Sequence, residues 1–173
     1  MAMTIAVVLH NIRSVHNVGS IFRTADAAGV EKVYLCGITP APHDRLGNLR
    51  KDFAKVALGA EKYVSWESAK STVRVINALK KGGWEIFAVE QSKNSVPYSK
   101  LKMKTGKLKV ALVLGDEVRG LPPSILKLAD KILEIPMRGA MVRDARHPKH
   151  IGNGKESLNV AVAFGIIVFS LNQ

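Results

Sequence analysis

Hydrophobic positions in this chain fall into two alternating kinds of run. Short, nearly unbroken stretches of Val, Ile, Leu and Ala, each bounded by Gly, Pro, Asn or charge, occupy residues 4–9, 33–36, 85–90, 110–114 and 131–135. Strands of that composition are buried on both faces, as in a parallel sheet. Between them lie segments with helical signals. Residues 17–28 begin at Asn17, a type that caps helix N-termini, and stop at Gly29; residues 68–81 stop at Gly82 and Gly83. Pro122 and Pro123 introduce a short helix through Ala129, and a last helix is expected over residues 157–171. The alternation predicts an α/β fold, a parallel sheet flanked by helices on both faces.

The last helix is apolar almost all round, and such a helix must be covered on every side. A chain of 173 residues, expected to form a single domain over 1–173, has little material to do this alone. A homodimer with this helix at the interface is the expectation, with burial within the monomer alone as the alternative. The same stretch carries Asn159 and Ser170 and falls short of the roughly 20 residues a membrane span needs, so no membrane association is expected. Residues 1–10 lack a basic lead-in and a small-residue cleavage site and read as a strand instead of a signal peptide.

Charge narrows the partners. Lysine and arginine total 26 against 14 acids, a formal net charge of +12, the electrostatic footprint of a protein that meets polyanions, with nucleic acid first among them. Cys36 is the lone cysteine, so neither an intramolecular disulfide nor a cysteine zinc cluster can form, which suits a reducing, cytoplasmic setting. His147 and His150 offer two possible metal ligands, but no third His or Cys lies nearby and Pro148 argues against a shared helical face; no metal is expected. Neither a phosphate-cradling G-x-x-x-x-G-K-[ST] pattern nor a dinucleotide G-x-G-x-x-G is present.

Three constellations carry the chemistry. The first runs from Asn11 to Asp26, a polar loop after a strand that enters a helix, with Asn17, Gly19, Ser20 and Arg23. In this segment Asn17 can serve as a helix cap and Gly19 can permit close helix packing, while Arg23 falls nearly two turns in, on the side of Ser20, a spacing expected to gather amide and guanidinium together. The second, Gly115-Asp116-Glu117-Val118-Arg119-Gly120-Leu121, ends a buried strand at the sheet's carboxyl edge, where α/β proteins bind ligands. A plain strand-to-helix turn with solvated acids would read the same way. The third is Ile135-Pro136-Met137-Arg138-Gly139, then a loop, then Glu156-Ser157-Leu158-Asn159-Val160 opening the last helix, where Ser157 alone would be a cap.

In this order and at these separations, the three blocks resemble the SpoU family of RNA ribose 2′-O-methyltransferases within the SPOUT superfamily. The first matches its Asn-x-Gly-x-x-x-Arg segment, the second its Gly-x-Glu-x-x-Gly-Leu turn, the third its Ile-Pro-Met-x-Gly and Ser-Leu-Asn-Val pair. The resemblance implies a C-terminal trefoil knot that holds S-adenosyl-L-methionine (AdoMet), a topology that folding physics alone would not anticipate. It implies a cofactor pocket using main-chain groups at Gly115, Ile135 and Leu158, lined also by Glu90 and Gln91, with Ile135, Met137 and Leu158 as an apolar slot. It places Arg23 nearest the ribose 2′-hydroxyl, with Asn17 orienting it or the phosphate and Glu117, Ser157 and Asn159 completing the catalytic pocket. A guanidinium, with a pKa above about 12, is a poor base, so Arg23 either takes the proton or stabilises the developing alkoxide while water or phosphate takes it.

The chain departs from the family pattern at Asp116, a second acid beside Glu117; adjacent like charges would raise one pKa unless Arg119 neutralises the excess. It departs also in the length and basicity of residues 141–155. Arg143, Arg146, Lys149 and Lys155 of that loop, with Arg13 of the first block, are the candidate RNA-binding cations, for tRNA or rRNA. Many relatives carry an added RNA-binding domain before the catalytic one, whereas here the first block starts almost at once, so recognition is expected to come from the catalytic domain or its dimer. Two other activities compete: methylation of a base nitrogen, which would want a carboxylate general base near the target, and RNA binding without catalysis.

Overall fold

The structure is a computed structural model and describes residues 3–101, 108–137 and 157–172. Among the described residues seven strands form one sheet: β1 (Thr4–His10), β2 (Lys32–Cys36), β3 (Ser65–Ala69), β4 (Glu85–Val89), β5 (Val96–Pro97), β6 (Lys109–Leu114) and β7 (Lys131–Glu134). Their order is β3-β2-β1-β6-β4-β7-β5 and every pairing is parallel. The chain leaves β1 toward one edge and later crosses to fill the other half. Every strand therefore points its carboxyl end the same way, and ligand crevices open where the strand order reverses.

Alternation along β1 divides the core in two. Ile5, Val7 and Leu9 face helix α1 (Val15–Ala27), α2 (Lys51–Ala57) and the C-terminal helix α5 (Val160–Leu171), through Val18, Phe22, Phe53, Phe164 and Ile167. Ala6 and Val8 face α3 (Thr72–Lys81) and the one-turn α4 (Pro123–Leu126), through Val75, Ile76, Leu79 and Ile125. The expected layering of helices on both faces is present.

Several boundaries differ from the sequence expectation. Helix α1 is capped by Ser14, whose Oγ accepts from Asn17 N at 3.2 Å, so Asn17 sits inside the first turn and its side chain is released for other work. Ser68 belongs to edge strand β3; the helix begins after Ser71, whose Oγ accepts from Arg74 N. Three serines within seven residues offer the same capping chemistry, and pairing of β3 with β2 decides which one is used. Helix α5 starts three residues later than expected, capped by Asn159 instead of Ser157. Helix α2, which periodicity did not reveal, explains Gly19: a Cβ there would stand 3.1 Å from Val56 Cβ, so the glycine lets α1 and α2 approach closely.

Candidate active site

The carboxyl ends of β4, β6 and β7, Asn17 of α1 and the start of α5 line a cavity of about 540 Å³. Of the eleven residues assigned by sequence to catalysis or cofactor binding, ten line it: Asn17, Glu90, Gln91, Gly115, Glu117, Ile135, Met137, Ser157, Leu158 and Asn159. Arg23 does not. It lies on the exposed face of α1, six residues beyond Asn17, and six residues rotate a side chain about 240° further round a helix. The expected gathering of the Asn17 amide and the Arg23 guanidinium is thus not formed within the described chain.

Glycines let the cavity's backbone close up. A Cβ on Gly115 would lie 2.5 Å from the carbonyl carbon of Gly120 and 2.7 Å from Leu121 N. Gly120 has φ +67°, and a Cβ on it would strike the Glu90 carboxylate. That carboxylate ties β4 to the turn, accepting from Leu121 N at 2.8 Å and from Gln91 N at 3.0 Å. Glu90 therefore shapes the pocket, with its carboxylate committed to two backbone donors.

The three sequence blocks meet in one hydrogen-bond chain. Asn17 Nδ2 donates to Glu117 Oε1 at 2.9 Å, Asn159 Nδ2 donates to Asn17 Oδ1 at 3.0 Å, and Asn159 Oδ1 accepts from Ala161 N at 2.9 Å at the start of α5. Each link fixes which end of each amide faces which partner. Glu117 also receives Arg13 N at 3.1 Å and Ser14 N at 3.2 Å, so it anchors the loop between β1 and α1. Burial works to raise its pKa, but the bonds from Asn17 and these backbone donors outweigh burial and hold it below the usual carboxylate value. Glu117 is thus an ionised positioning group in this geometry, and its donors leave it poorly suited to take up a proton.

The expected clash between Asp116 and Glu117 does not arise, and Arg119 is not the neutralising partner. Asp116 is buried; burial would raise its pKa, yet the N–H groups of Arg119 and Val118 and the Arg13 guanidinium together bring it below the ordinary value. Arg13 Nε donates to Asp116 Oδ2 at 3.0 Å. Both acids accept hydrogen bonds from within the chain; Asp116 is buried and Glu117 part-exposed.

Sequence reasoning missed Glu134, which lines the cavity and accepts at Oε2 from Ser95 Oγ at 2.7 Å. Its signal was its place directly before Ile135 at a strand end. Arg143, Arg146, Lys149 and Lys155, with His147 and His150, lie outside the described residues. Among the described residues no cluster of three or more His, Cys, Asp or Glu is arranged to hold a metal ion, and no helix is long and apolar enough to cross a membrane.

An all-parallel sheet with a polar-rimmed crevice at its carboxyl edge, fed by three separate strand-end loops, defines an α/β protein with room for a small ligand at the ends of β6, β4 and β7. The chain belongs to the SpoU rRNA Methylase family, whose pattern matches residues 4–142. It is 30% identical over 163 residues to the tRNA (guanosine(18)-2′-O)-methyltransferase of Aquifex aeolicus, covering 94% of this chain and 66% of that protein. An AdoMet-bound rRNA methyltransferase from Sinorhizobium meliloti superposes with a TM-score of 0.77 at 28% identity, over 96% of this chain and 55% of that one. A structure described as concerning the 2-OH methylation of C/U34 on tRNA superposes with a TM-score of 0.71 at 25% identity, over 98% of this chain and 94% of that one. Against the curated relatives it matches, the chain spans 55% to 66% of their length.

Proposed function

We propose that this chain is an AdoMet-dependent methyltransferase acting on a ribose 2′-hydroxyl of tRNA or rRNA, folded as a single domain that works in the cytoplasm as a homodimer. The observation that carries the reading is the Glu117–Asn17–Asn159 chain, which joins all three family blocks around one cavity. The cavity fits the cofactor: its volume of about 540 Å³ lies within the usual range for ligand sites, and Ile135, Met137 and Leu158 offer apolar surface beside polar strand ends. The AdoMet-bound relative lends support. The reading includes the C-terminal trefoil crossing, supported by likeness to solved family members.

Bound AdoMet supplies a methyl group on a sulfonium. The protein must hold the 2′-oxygen in line with it and accommodate one proton. Asn17, its amide fixed at both ends, orients the acceptor side of the pocket, and Ser157 and Asn159 close it at the mouth of α5. Arg23 stabilises the developing alkoxide from the exposed face of α1, which requires RNA or a second copy of the chain to close over that face. Methylation of a base nitrogen is disfavoured, because the carboxylate nearest Asn17 is occupied by three donors and sits low in pKa.

Calorimetry with AdoMet, followed by transfer of labelled methyl to unmodified tRNA and rRNA and mapping by nuclease digestion and mass spectrometry, tests the reading. Label at a ribose 2′-oxygen is expected. Label on a base would move the protein to the rival chemistry, and absence of AdoMet binding would leave an RNA-binding protein without catalysis.

A further inference from the structure

Asp116, the acid beside Glu117, has an atomic arrangement that anchoring a turn does not fully explain. Its Oδ1 accepts from Val118 N at 2.7 Å and from Arg119 N at 2.8 Å, which closes the turn after β6. Its Oδ2 is turned to the other loop, where it receives Arg13 Nε. The Asp116 side chain is 6% exposed while that of Arg13 is 55% exposed. The pair is therefore asymmetric: a buried anion grips the inner edge of a guanidinium whose outer edge meets solvent. Glu117 meanwhile holds the Arg13 backbone N–H. Arg13 is fixed at both its main chain and its ε nitrogen, and among the described residues its terminal nitrogens make no hydrogen bond.

We propose that Asp116 is a positioning residue that aims the terminal N–H fork of Arg13 as a binding site for one phosphodiester of the RNA strand entering beside Asn17. A fork with a fixed plane matches two phosphate oxygens, and holding it in advance removes ordering that a free arginine would undergo on binding. Arg13 is not part of the cavity lining, so the anion it meets is outside the cofactor pocket. This inference rests on RNA being the substrate.

Simple charge counting and positioning predict opposite signs, which makes the test decisive. Asp116→Asn keeps an oxygen for the Val118 and Arg119 donors, removes a negative charge and withdraws the acceptor from Arg13. Positioning predicts that a pool of unmodified tRNA transcripts binds about five- to tenfold more weakly to this variant, despite its more positive charge, and that the slope of log affinity against log salt shrinks by about one unit. Arg13→Gln should show the same loss, and the double variant should be no worse than either single one. AdoMet affinity, measured in parallel, should stay within about twofold in Arg13→Gln. Equal or tighter RNA binding by Asp116→Asn, additive effects, or a fall in AdoMet affinity in Arg13→Gln would each overturn the proposal; the last would point to the cofactor carboxylate as the anion. If Asp116→Asn fails to fold, Arg13→Lys decides, since it keeps the charge without the fork: weakened RNA binding supports the proposal and unchanged binding removes it. Wild-type protein that bound no RNA at all would fail the functional reading itself, before any variant is compared.

Discussion

Asn17 shows how much at the residue scale depends on one amide. It donates to Glu117 and accepts from Asn159, so Asn17→Ala should lower methyl transfer by about two orders of magnitude while costing about 1–2 kcal/mol of stability. Labelled-methyl transfer and thermal melting measure the two effects separately; a variant with near-normal turnover would remove Asn17 from the site. Gly115→Ala places a methyl against the Gly120 carbonyl group, and a loss of roughly 1–3 kcal/mol is expected, seen as a lowered melting midpoint. His10 supplies a pH test. Asn11 Oδ1 accepts from Ile38 N, so its Nδ2 faces His10 Nε2, which must accept; the ring proton then sits on Nδ1 and is donated to Thr72 Oγ1 at 2.7 Å. Burial lowers the His10 pKa, partly opposed by Asp116. The folded state thus binds the proton less readily than the unfolded one, so this contribution is full above pH 6.5 and is lost as pH falls from there through the folded value. Melting midpoints from pH 7.5 to 5 should fall in the wild type and fall less in His10→Gln; parallel curves would assign the acid loss elsewhere. Asp116 and Glu117, both lowered, add a loss only at more acid pH, below their ordinary values of 3.8 and 4.5.

At the scale of elements, α5 carries the clearest test. Its all-round apolar sequence predicted burial on every side, and the structure divides that surface. Phe164, Ile167, Val168 and Leu171 are buried within the chain's own core, against α1 and the sheet, whereas Val162 is 51% and Phe169 46% exposed. A charge at Phe164 or Ile167 therefore attacks folding and says little about assembly. The informative positions are the exposed pair: Val162→Gln with Phe169→Glu should leave secondary structure and melting cooperativity intact and shift sedimentation from dimer to monomer. A wild type that already sediments as a folded monomer at micromolar concentration would end the dimer proposal.

For the whole molecule, the +12 charge predicts RNA binding that weakens steeply with salt. Replacing Arg143, Arg146 and Lys149 with serine should flatten the salt dependence by about one unit of slope for each phosphate no longer neutralised, with AdoMet affinity little changed. Titration of tRNA at several salt concentrations measures this, and an unchanged slope would make residues 141–155 a plain connector.

Periodicity and punctuation by themselves determined the layered α/β class and its five inner strands, because a strand buried on both faces must be apolar along its length. The three motif blocks, with the family resemblance they carry, likewise pointed to which residues to look for, and ten of the eleven line one cavity. Tertiary structure alone decided what depends on residues far apart in sequence. Edge strands β3 and β5 are largely exposed, and β5 is only two residues long, so they carry no apolar run, and only pairing with β2 and β7 creates them. Local chemistry offered Asn17 as a cap, and a serine three residues earlier took that place, freeing the amide to meet Glu117, 100 residues away, and Asn159, 142 residues away. The sequence likewise placed two acids side by side without revealing that Asp116 is buried against Arg13 while Glu117 holds a loop, since side-chain pairing across 103 residues is set by how the sheet brings its strand ends together.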